Sequence, residues 1–150
     1  MSITYIGIGS NLGSKKQNCD KAISLMQANG IRVVRRSSYY ETEPWGVKEQ
    51  PEFINMAVEA ETDLNADELL GKLKQIEIEL GRDKGERWGP RIIDLDILFF
   101  DDLIVKTPEH EIPHPGIPER EFVLGPLSEI APDKKHPVLN KTIKQLLGEL

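Results

Sequence analysis

The stretch IIDLDILFF, residues 92–100, decides the fold that we expect for this chain. It is rich in β-branched and aromatic residues, which is typical of a buried strand, although two aspartates stand inside it. Because alternate side chains of a strand point to opposite faces, Asp94 and Asp96 share one face and lie about 6.6 Å apart along the chain. The apolar residues between them then take the other face. The stretch therefore predicts a strand with a core face and a carboxylate face.

Three further strands are predicted before this stretch, over residues 3–9, 31–40 and 53–61. With one helix after the first strand and one after the third, the order is β-α-β-β-α-β, which is that of a ferredoxin-like split-βαβ sheet. We expect an α+β fold with an antiparallel sheet, helices on one face and a short C-terminal helical extension, near 122–130 and 141–149. No repeat, low-complexity tract or linker divides the chain, so we expect a single domain over residues 1–150.

Both predicted helices begin and end with recognisable signals. Ser14 with Gln17, and Asn65 with Glu68, each have the spacing of a capping box. The first helix then presents an apolar face and ends at Asn29-Gly30, and the second ends at Gly81. The apolar face of the first helix consists of Cys19, Ala22, Ile23 and Met26.

Composition excludes several classes of protein. The 150 residues include 25 acidic and 19 basic side chains, and the net charge of −6 argues against nucleic acid or an anionic membrane as a partner. No apolar run approaches the roughly 20 residues of a membrane span, and the N-terminus lacks the pattern of a signal peptide. The lone Cys19 excludes an internal disulfide and a cysteine-based zinc site. We therefore expect a cytoplasmic protein.

Two long loops, residues 41–52 and 82–91, flank the strands with unusual polar side chains, and loops of this length are often functional. The second loop carries cationic side chains that match phosphate oxygens, and it leads to an aspartate pair of the kind that binds Mg²⁺. The alternatives are a solvated strand face, a pair neutralised by Arg91, and a merely solvated charged loop. The loop side chains concerned are Arg82, Lys84, Arg87, Trp88 and Arg91.

Weaker signals come from residues elsewhere in the chain. Glu77 falls on the apolar stripe of the second helix, so it is either a ligand or a stripe-edge carboxylate paired with an arginine. Phe53 and Asn55 share a strand face, which suits a flat hydrogen-bonding heterocycle, although an aromatic residue on a strand is more often in the core. His114 lies between two prolines and is either a phosphate or ribose contact or a bystander.

With these residues in view, the chain resembles the 6-hydroxymethyl-7,8-dihydropterin pyrophosphokinases over nearly its whole length. The most specific motif is RWGPRIIDLDILFF (87–100). It is accompanied by SNLG (10–13), TEPWG (42–46), Gln50-Pro51-x-Phe53-x-Asn55, IPHP (112–115), ERxFVLxPL (119–127) and the HP of residues 136–137. The resemblance implies an ATP-dependent diphosphokinase of folate biosynthesis, which transfers pyrophosphate to the hydroxymethyl group of a dihydropterin and releases AMP. It also implies a monomer.

The resemblance implies roles for individual residues. Asp94 and Asp96 match the ligands of two Mg²⁺ ions bound with ATP, and Arg82, Arg91 and Asp96 match catalytic positions. The ATP site is implied at Glu77, Lys84, Trp88, Arg91, Ile97, His114 and Arg120. The pterin site is implied at Thr42, Pro44, Trp45, Phe53, Asn55, Trp88 and Phe122. The chain departs from the family pattern at Lys84, where many members have arginine, and at His110 and Glu111.

A binding module is the rival interpretation of the same pattern. RNA-recognition domains share the β-α-β-β-α-β order, but the third strand lacks their aromatic-rich motif and the chain is acidic. A non-catalytic ferredoxin-like module that binds a small molecule is the better alternative. It would explain the fold without explaining the aspartate pair and the arginine loop.

Overall fold

The computed structural model describes residues 1–11, 13–42, 53–81, 92–108 and 110–150. The two loops predicted at 41–52 and 82–91 therefore lie outside the described residues, apart from Glu41 and Thr42. The strands are β1 (Ser2–Ser10), β2 (Ile31–Arg36), β3 (Tyr40–Thr42), β4 (Phe53–Thr62), β5 (Asp94–Phe100), β6 (Val105–Lys106) and β7 (Glu111–Ile112). The α-helices are α1 (Lys15–Ala28), α2 (Ala66–Glu79), α3 (Glu121–Ile130) and α4 (Ile143–Gly148), and a 3-10 turn spans Ile117–Glu119.

The main sheet is antiparallel and has the order β2-β4-β1-β5, while β6 and β7 form a separate hairpin. The strand predicted over 31–40 is wrong in one respect, because β2 ends at Arg36 and β3 begins at Tyr40. Both segments pair with β4. Between them the side-chain hydroxyl of Ser37 accepts the amide N–H of Ala57 at 2.9 Å. The Ser37 side chain thus replaces a backbone acceptor at the break.

Helices α1 and α2 cover one face of the sheet, as the apolar stripes predict. Their buried side chains pack against Ile6 and Ile8 of β1 and against Leu95 and Ile97 of β5 in one hydrophobic cluster. The predicted face of α1 is confirmed, since Cys19, Ala22, Ile23 and Met26 are all buried. Removing this apolar surface from water is the main stabilising contribution on this side of the sheet.

The C-terminal helices cover part of the opposite face, which the sequence pattern did not predict. Leu124 and Leu127 of α3 and Ile143 of α4 pack with Tyr5 and Phe99 in a second cluster. The pairing of β5 with β1 shifts after Tyr5, which directs Phe99 to this face and Phe100 to the α1–α2 face. The sheet is therefore sandwiched at one end, and the other end of this face remains available for a cleft.

The two predicted capping boxes have different outcomes. At α2 the side chain of Asn65 accepts the N–H of Glu68 and the Glu68 side chain accepts the N–H of Asn65, so this box is confirmed. At α1, Ser14 is the N-cap residue but its side chain makes no capping hydrogen bond. Its ψ angle of 79° departs from the extended conformation that directs an N-cap side chain onto the helix. Within the described residues, no helix combines the length and the apolar character that a membrane crossing requires.

This difference between the caps predicts a difference in stability. Asn65→Ala should lower the free energy of unfolding by about 1 kcal/mol, because it removes an acceptor from the first turn of α2. Ser14→Ala, which removes no capping hydrogen bond, should cost much less. Urea unfolding of the two variants measures both values, and equal losses would contradict the distinction.

Candidate active site

A cleft of about 840 Å³ opens on the face of the sheet opposite α1 and α2. Its floor is the middle of β1, where Gly7 and Gly9 alternate with the buried core residues Ile6 and Ile8. A glycine in a strand leaves the neighbouring side chains uncovered. A Cβ atom at position 9 would lie 3.1 Å from Oδ1 of Asn55, closer than most Cβ contacts, so Gly9 leaves room for the Asn55 amide beside the strand.

The aspartate pair lines one side of this floor. Asp94 pairs with Gly9 and Asp96 pairs with Gly7 across the β1–β5 ladder, and both aspartates line the cleft. Leu95, which lies between them, is buried in the core on the other face. The shared face that the spacing predicts is therefore observed. Among the described residues no group of three or more His, Cys, Asp or Glu side chains could enclose a metal ion.

Two aromatic residues contribute to the walls of the cleft. Phe53, at the start of β4, and Phe122, in the first turn of α3, both line it, and Asn55 lies two residues beyond Phe53 on the same face. Phe53 is half-buried, so it does not belong to the core, as the alternative would require. The structure thus brings together two rings and an amide that are up to 69 residues apart in the sequence.

The segment before α3 contributes His114. Its backbone N–H donates to the carbonyl of Leu98 at 3.0 Å, and its Nδ1 accepts the N–H of Gly116 at 3.0 Å. Burial lowers the pKa of His114, although the nearby Asp96 carboxylate acts in the opposite direction. The ring is therefore neutral near pH 7, with its proton on Nε2, so that it can donate one hydrogen bond.

Arg120 adds a cation at the N-terminal end of α3. Its guanidinium carbon lies 5.7 Å from the centroid of the Phe122 ring, within the range of a cation–π contact. A Cβ atom at position 116 would lie 3.0 Å from the Nε atom of Arg120, so Gly116 permits this close approach. His110 lies elsewhere, with Nε2 3.3 Å from the Oδ1 atom of Asp67.

Glu77 and Ile97 lie away from the cleft, on the core side of the sheet. Glu77 is buried on α2, and its Oε2 accepts the N–H of Leu95 at 2.9 Å. The Ile97 side chain is in the α1–α2 cluster. The Leu95 N–H points out from β5 towards α2. Because the backbone groups of every second residue in a strand point to the same side, those of Ile97 also lie at this outer edge of β5. A contact of Ile97 with a ligand would therefore use its backbone.

Several residues that the sequence singles out fall where the structure gives no description. Thr42 ends β3, and only its backbone pairing with Phe53 is described. The remaining predictions in the two loops lie outside the described residues. These are Pro44 and Trp45 in the first loop and Arg82, Lys84, Arg87, Trp88 and Arg91 in the second.

Sequence reasoning missed part of the cleft. Gly7 and Gly9 lie in the strand predicted over residues 3–9, and the sequence pattern indicates no role in a site for them, whereas they form the cleft floor. Two glycines at positions i and i+2 of a strand were the available signal, because they share one face. Gly116, Glu119, Glu121 and Val123 carried no comparable signal, and the last three also line the cleft.

Comparison with known proteins points to one family. Residues 5–132 match the family model described as 7,8-dihydro-6-hydroxymethylpterin-pyrophosphokinase (HPPK). A relative from Bacillus subtilis (strain 168), 2-amino-4-hydroxy-6-hydroxymethyldihydropteridine pyrophosphokinase, is 48% identical over 130 residues, covering 86% of this chain and 78% of the relative. A relative of the same name from Aquifex aeolicus (strain VF5) is 38% identical over 149 residues, covering 99% of this chain and 92% of the relative.

The fold is also similar to solved structures. Wild-type Plasmodium falciparum HPPK-DHPS with SDX-DHP matches with a TM-score of 0.78 at 19% identity. The match covers 99% of this chain and 43% of that one, so the chain spans less than half the length of the solved protein and the likeness concerns the fold. On the extent of the family match and the two identities, the chain belongs to the 7,8-dihydro-6-hydroxymethylpterin-pyrophosphokinase family.

Proposed function

We propose that the cleft over β1 is the active site of an ATP-dependent pyrophosphokinase. Membership of the family indicates the reaction. Pyrophosphate is transferred from ATP to the hydroxymethyl group of 6-hydroxymethyl-7,8-dihydropterin, a step of folate synthesis. The observation that supports the assignment to this cleft is that Asp94, Asp96, Asn55 and the two aromatic rings all line it. It offers carboxylates for a metal–phosphate group and rings with an amide for a flat heterocycle.

Phe53, Phe122 and Asn55 form the proposed pterin site. The two rings come from different elements, β4 and α3, so a planar ligand between them would contact both walls of the cleft. The amide of Asn55 supplies both a donor and an acceptor for the polar edge of the heterocycle. The backbone of Thr42 and residues Pro44 and Trp45 complete the proposed site.

Asp94 and Asp96 form the proposed magnesium site. Kinases that use ATP generally require magnesium, and the number of two ions is part of the proposal. The residues fit this metal, because two carboxylates on one strand face supply hard oxygen ligands and leave further positions for phosphate oxygens. Bound there, Mg²⁺ would neutralise phosphate charge and orient the polyphosphate for in-line transfer.

The chain's own groups would position and neutralise the reactants. The substrate hydroxyl attacks the β-phosphorus in line and AMP leaves, so catalysis depends mainly on alignment and on compensating negative charge. We propose that Arg82 and Arg91 supply cationic forks, that Asp96 accepts the hydroxyl proton, and that His114 donates from Nε2. The remaining proposed nucleotide contacts are Lys84, Trp88 and Arg120, together with Glu77 and the backbone of Ile97, which a nucleotide would reach at the outer edge of β5 and not from the cleft floor.

The fold assignment, the domain organisation, the oligomeric state and the cellular location are also part of the proposal. The strand order β2-β4-β1-β5 with α1 and α2 on one face supports a ferredoxin-like assignment, in which β3 is an additional short strand. The two hydrophobic clusters share this sheet, which supports a single domain over residues 1–150. A monomer in the cytoplasm, where ATP is available, is proposed as the working state.

The first test is AMP formation from ATP and Mg²⁺ with and without the dihydropterin. Asp94→Asn should lower pterin-dependent AMP formation at least about a hundredfold, because an amide is a poor substitute for an anionic ligand of a divalent cation. EDTA should abolish the activity of the unmodified protein. Asp102→Asn is the matched control, since Asp102 is an exposed carboxylate whose partner is Lys134 at 3.1 Å.

The same assay separates the enzyme from the binding module. A folded protein that binds ATP or the pterin but forms no AMP would support the module. Asp94→Asn activity within about twofold of the control would contradict the metal assignment but leave the reaction in place.

The proposed pterin site predicts a selective effect on one substrate. Phe122→Ala should raise the KM for the dihydropterin about tenfold, since stacking on one ring contributes roughly 1–3 kcal/mol. The KM for ATP should stay within about twofold, and Phe122→Tyr should retain most of the pterin affinity because it keeps the ring. Steady-state kinetics with each substrate varied in turn measure both constants, and a parallel change in the two would refute the assignment.

A further inference from the structure

The carboxylate of Glu129 joins α3 to the segment that leads into β3. Its Oε2 accepts the backbone N–H of Ser38 at 2.8 Å and the Ser38 hydroxyl at 3.1 Å. Its Oε1 accepts the hydroxyl of Tyr40 at 2.8 Å. These three hydrogen bonds, which we call the Glu129 bridge, connect residues 89 to 91 positions apart in the chain. Nothing assigned to the reaction uses them.

One end of the bridge is fixed to the helix that forms a wall of the cleft. Glu129 lies in the last turn of α3 and Phe122 in its first turn, so one ten-residue helix carries both, with Pro126 between them leaving the Phe122 carbonyl without its helical N–H donor. Tyr40 also packs against the middle of this helix, where a Cβ atom at position 125 would lie 3.4 Å from its ring. Gly125 is one turn from Phe122, so the contact of Tyr40 with α3 bears directly on the position of that wall.

The other end of the bridge lies on the segment that leads into β3, the strand paired with the Phe53 end of β4. Tyr40 pairs with Asn55 and Thr42 pairs with Phe53 in the β3–β4 ladder, so β3 runs beside the two cleft residues of β4. Beyond Thr42 the chain enters the stretch that holds Pro44 and Trp45. The bridge therefore ties the element bearing one ring to the strand beside the other ring.

The charge of Glu129 suits this role. Burial raises the pKa of the Glu129 carboxyl, but the hydrogen bonds from Tyr40 and Ser38 outweigh it and hold the pKa below the usual range. The same contact, together with burial, raises the pKa of Tyr40. At neutral pH the pair is thus an ionised carboxylate with a phenol donor, and such charge-assisted hydrogen bonds are stronger than neutral ones.

We propose that Glu129 is a positioning residue that sets the distance between Phe122 and Phe53, and so controls affinity for the dihydropterin. The inference rests on the proposed pterin site. Glu129 itself does not line the cleft, so its effect on the substrate passes through α3 and β3. A residue of this kind changes binding of one substrate without taking part in phosphate transfer.

Glu129→Gln tests the proposal, because it keeps the side-chain size but replaces one acceptor oxygen by an NH₂ group. The KM for the dihydropterin should rise about tenfold, which is the scale expected for losing a hydrogen bond to a charged group, while the KM for ATP stays within about twofold. Tyr40→Phe should have a similar but smaller effect. Combined with Glu129→Gln it should add little, since both changes break the same contact.

Glu149→Gln is the matched control, because Glu149 is an exposed carboxylate whose partner is Lys141 at 2.6 Å. Thermal unfolding of every variant separates loss of folded protein, which lowers the amount of active enzyme, from a change in KM. An unchanged pterin KM in Glu129→Gln, or equal changes for both substrates, would overturn the proposal if Phe122→Ala still raises the pterin KM. If Phe122→Ala leaves that KM unchanged, the pterin site and the inference both fail.

Discussion

The register of β1 against its two neighbours is the constraint on which the cleft depends. Gly9 lies between Asn55 and Asp94, so that one row across three strands consists of an amide, a bare backbone and a carboxylate. Gly7 lies between Ala57 and Asp96 in the next row. Because side chains alternate, a slip by one residue between β1 and β5 would direct either Ile6 and Ile8 into the cleft or the aspartates into the core. Burial of the apolar side chains of β1 and exposure of the β5 carboxylates to the cleft therefore both favour the same register.

The elements that the sequence predicts well are those whose signals are local. Alternation in β5 gives the shared face of Asp94 and Asp96, and the Asn65–Glu68 spacing gives the start of α2, because both depend only on neighbours in the chain. Ser14 has the same spacing to Gln17 without the bond, since its backbone conformation is set by the preceding turn at Gly13. The end of β2 at Arg36 likewise depends on how the chain pairs with β4, and a local sequence pattern does not show that pairing.

The parts of the site that could not be predicted depend on contacts between distant segments. Leu124 and Leu127 show that α3 is apolar on one side, but the sequence does not say which face of the sheet receives them. Phe122 reaches the cleft only because α3 packs beside β4. Its assignment therefore came from the resemblance to the family, whereas Asp94 and Asp96 could be argued from their spacing alone.

Carboxylates have two different uses in this fold, and the backbone around each carboxylate decides which one applies. Glu77 is buried at the outer edge of β5, where it accepts the N–H of Leu95, for which no strand in the described part of the chain provides an acceptor. Glu129 accepts the Ser38 N–H at another interruption of the sheet. Asp94 and Asp96 project from the β5 face at positions paired with β1, where the ladder already occupies the backbone. These positions on the cleft face suit the proposed cation site, so the fold uses carboxylates both to accept backbone N–H groups at interruptions of the sheet and to line the cleft.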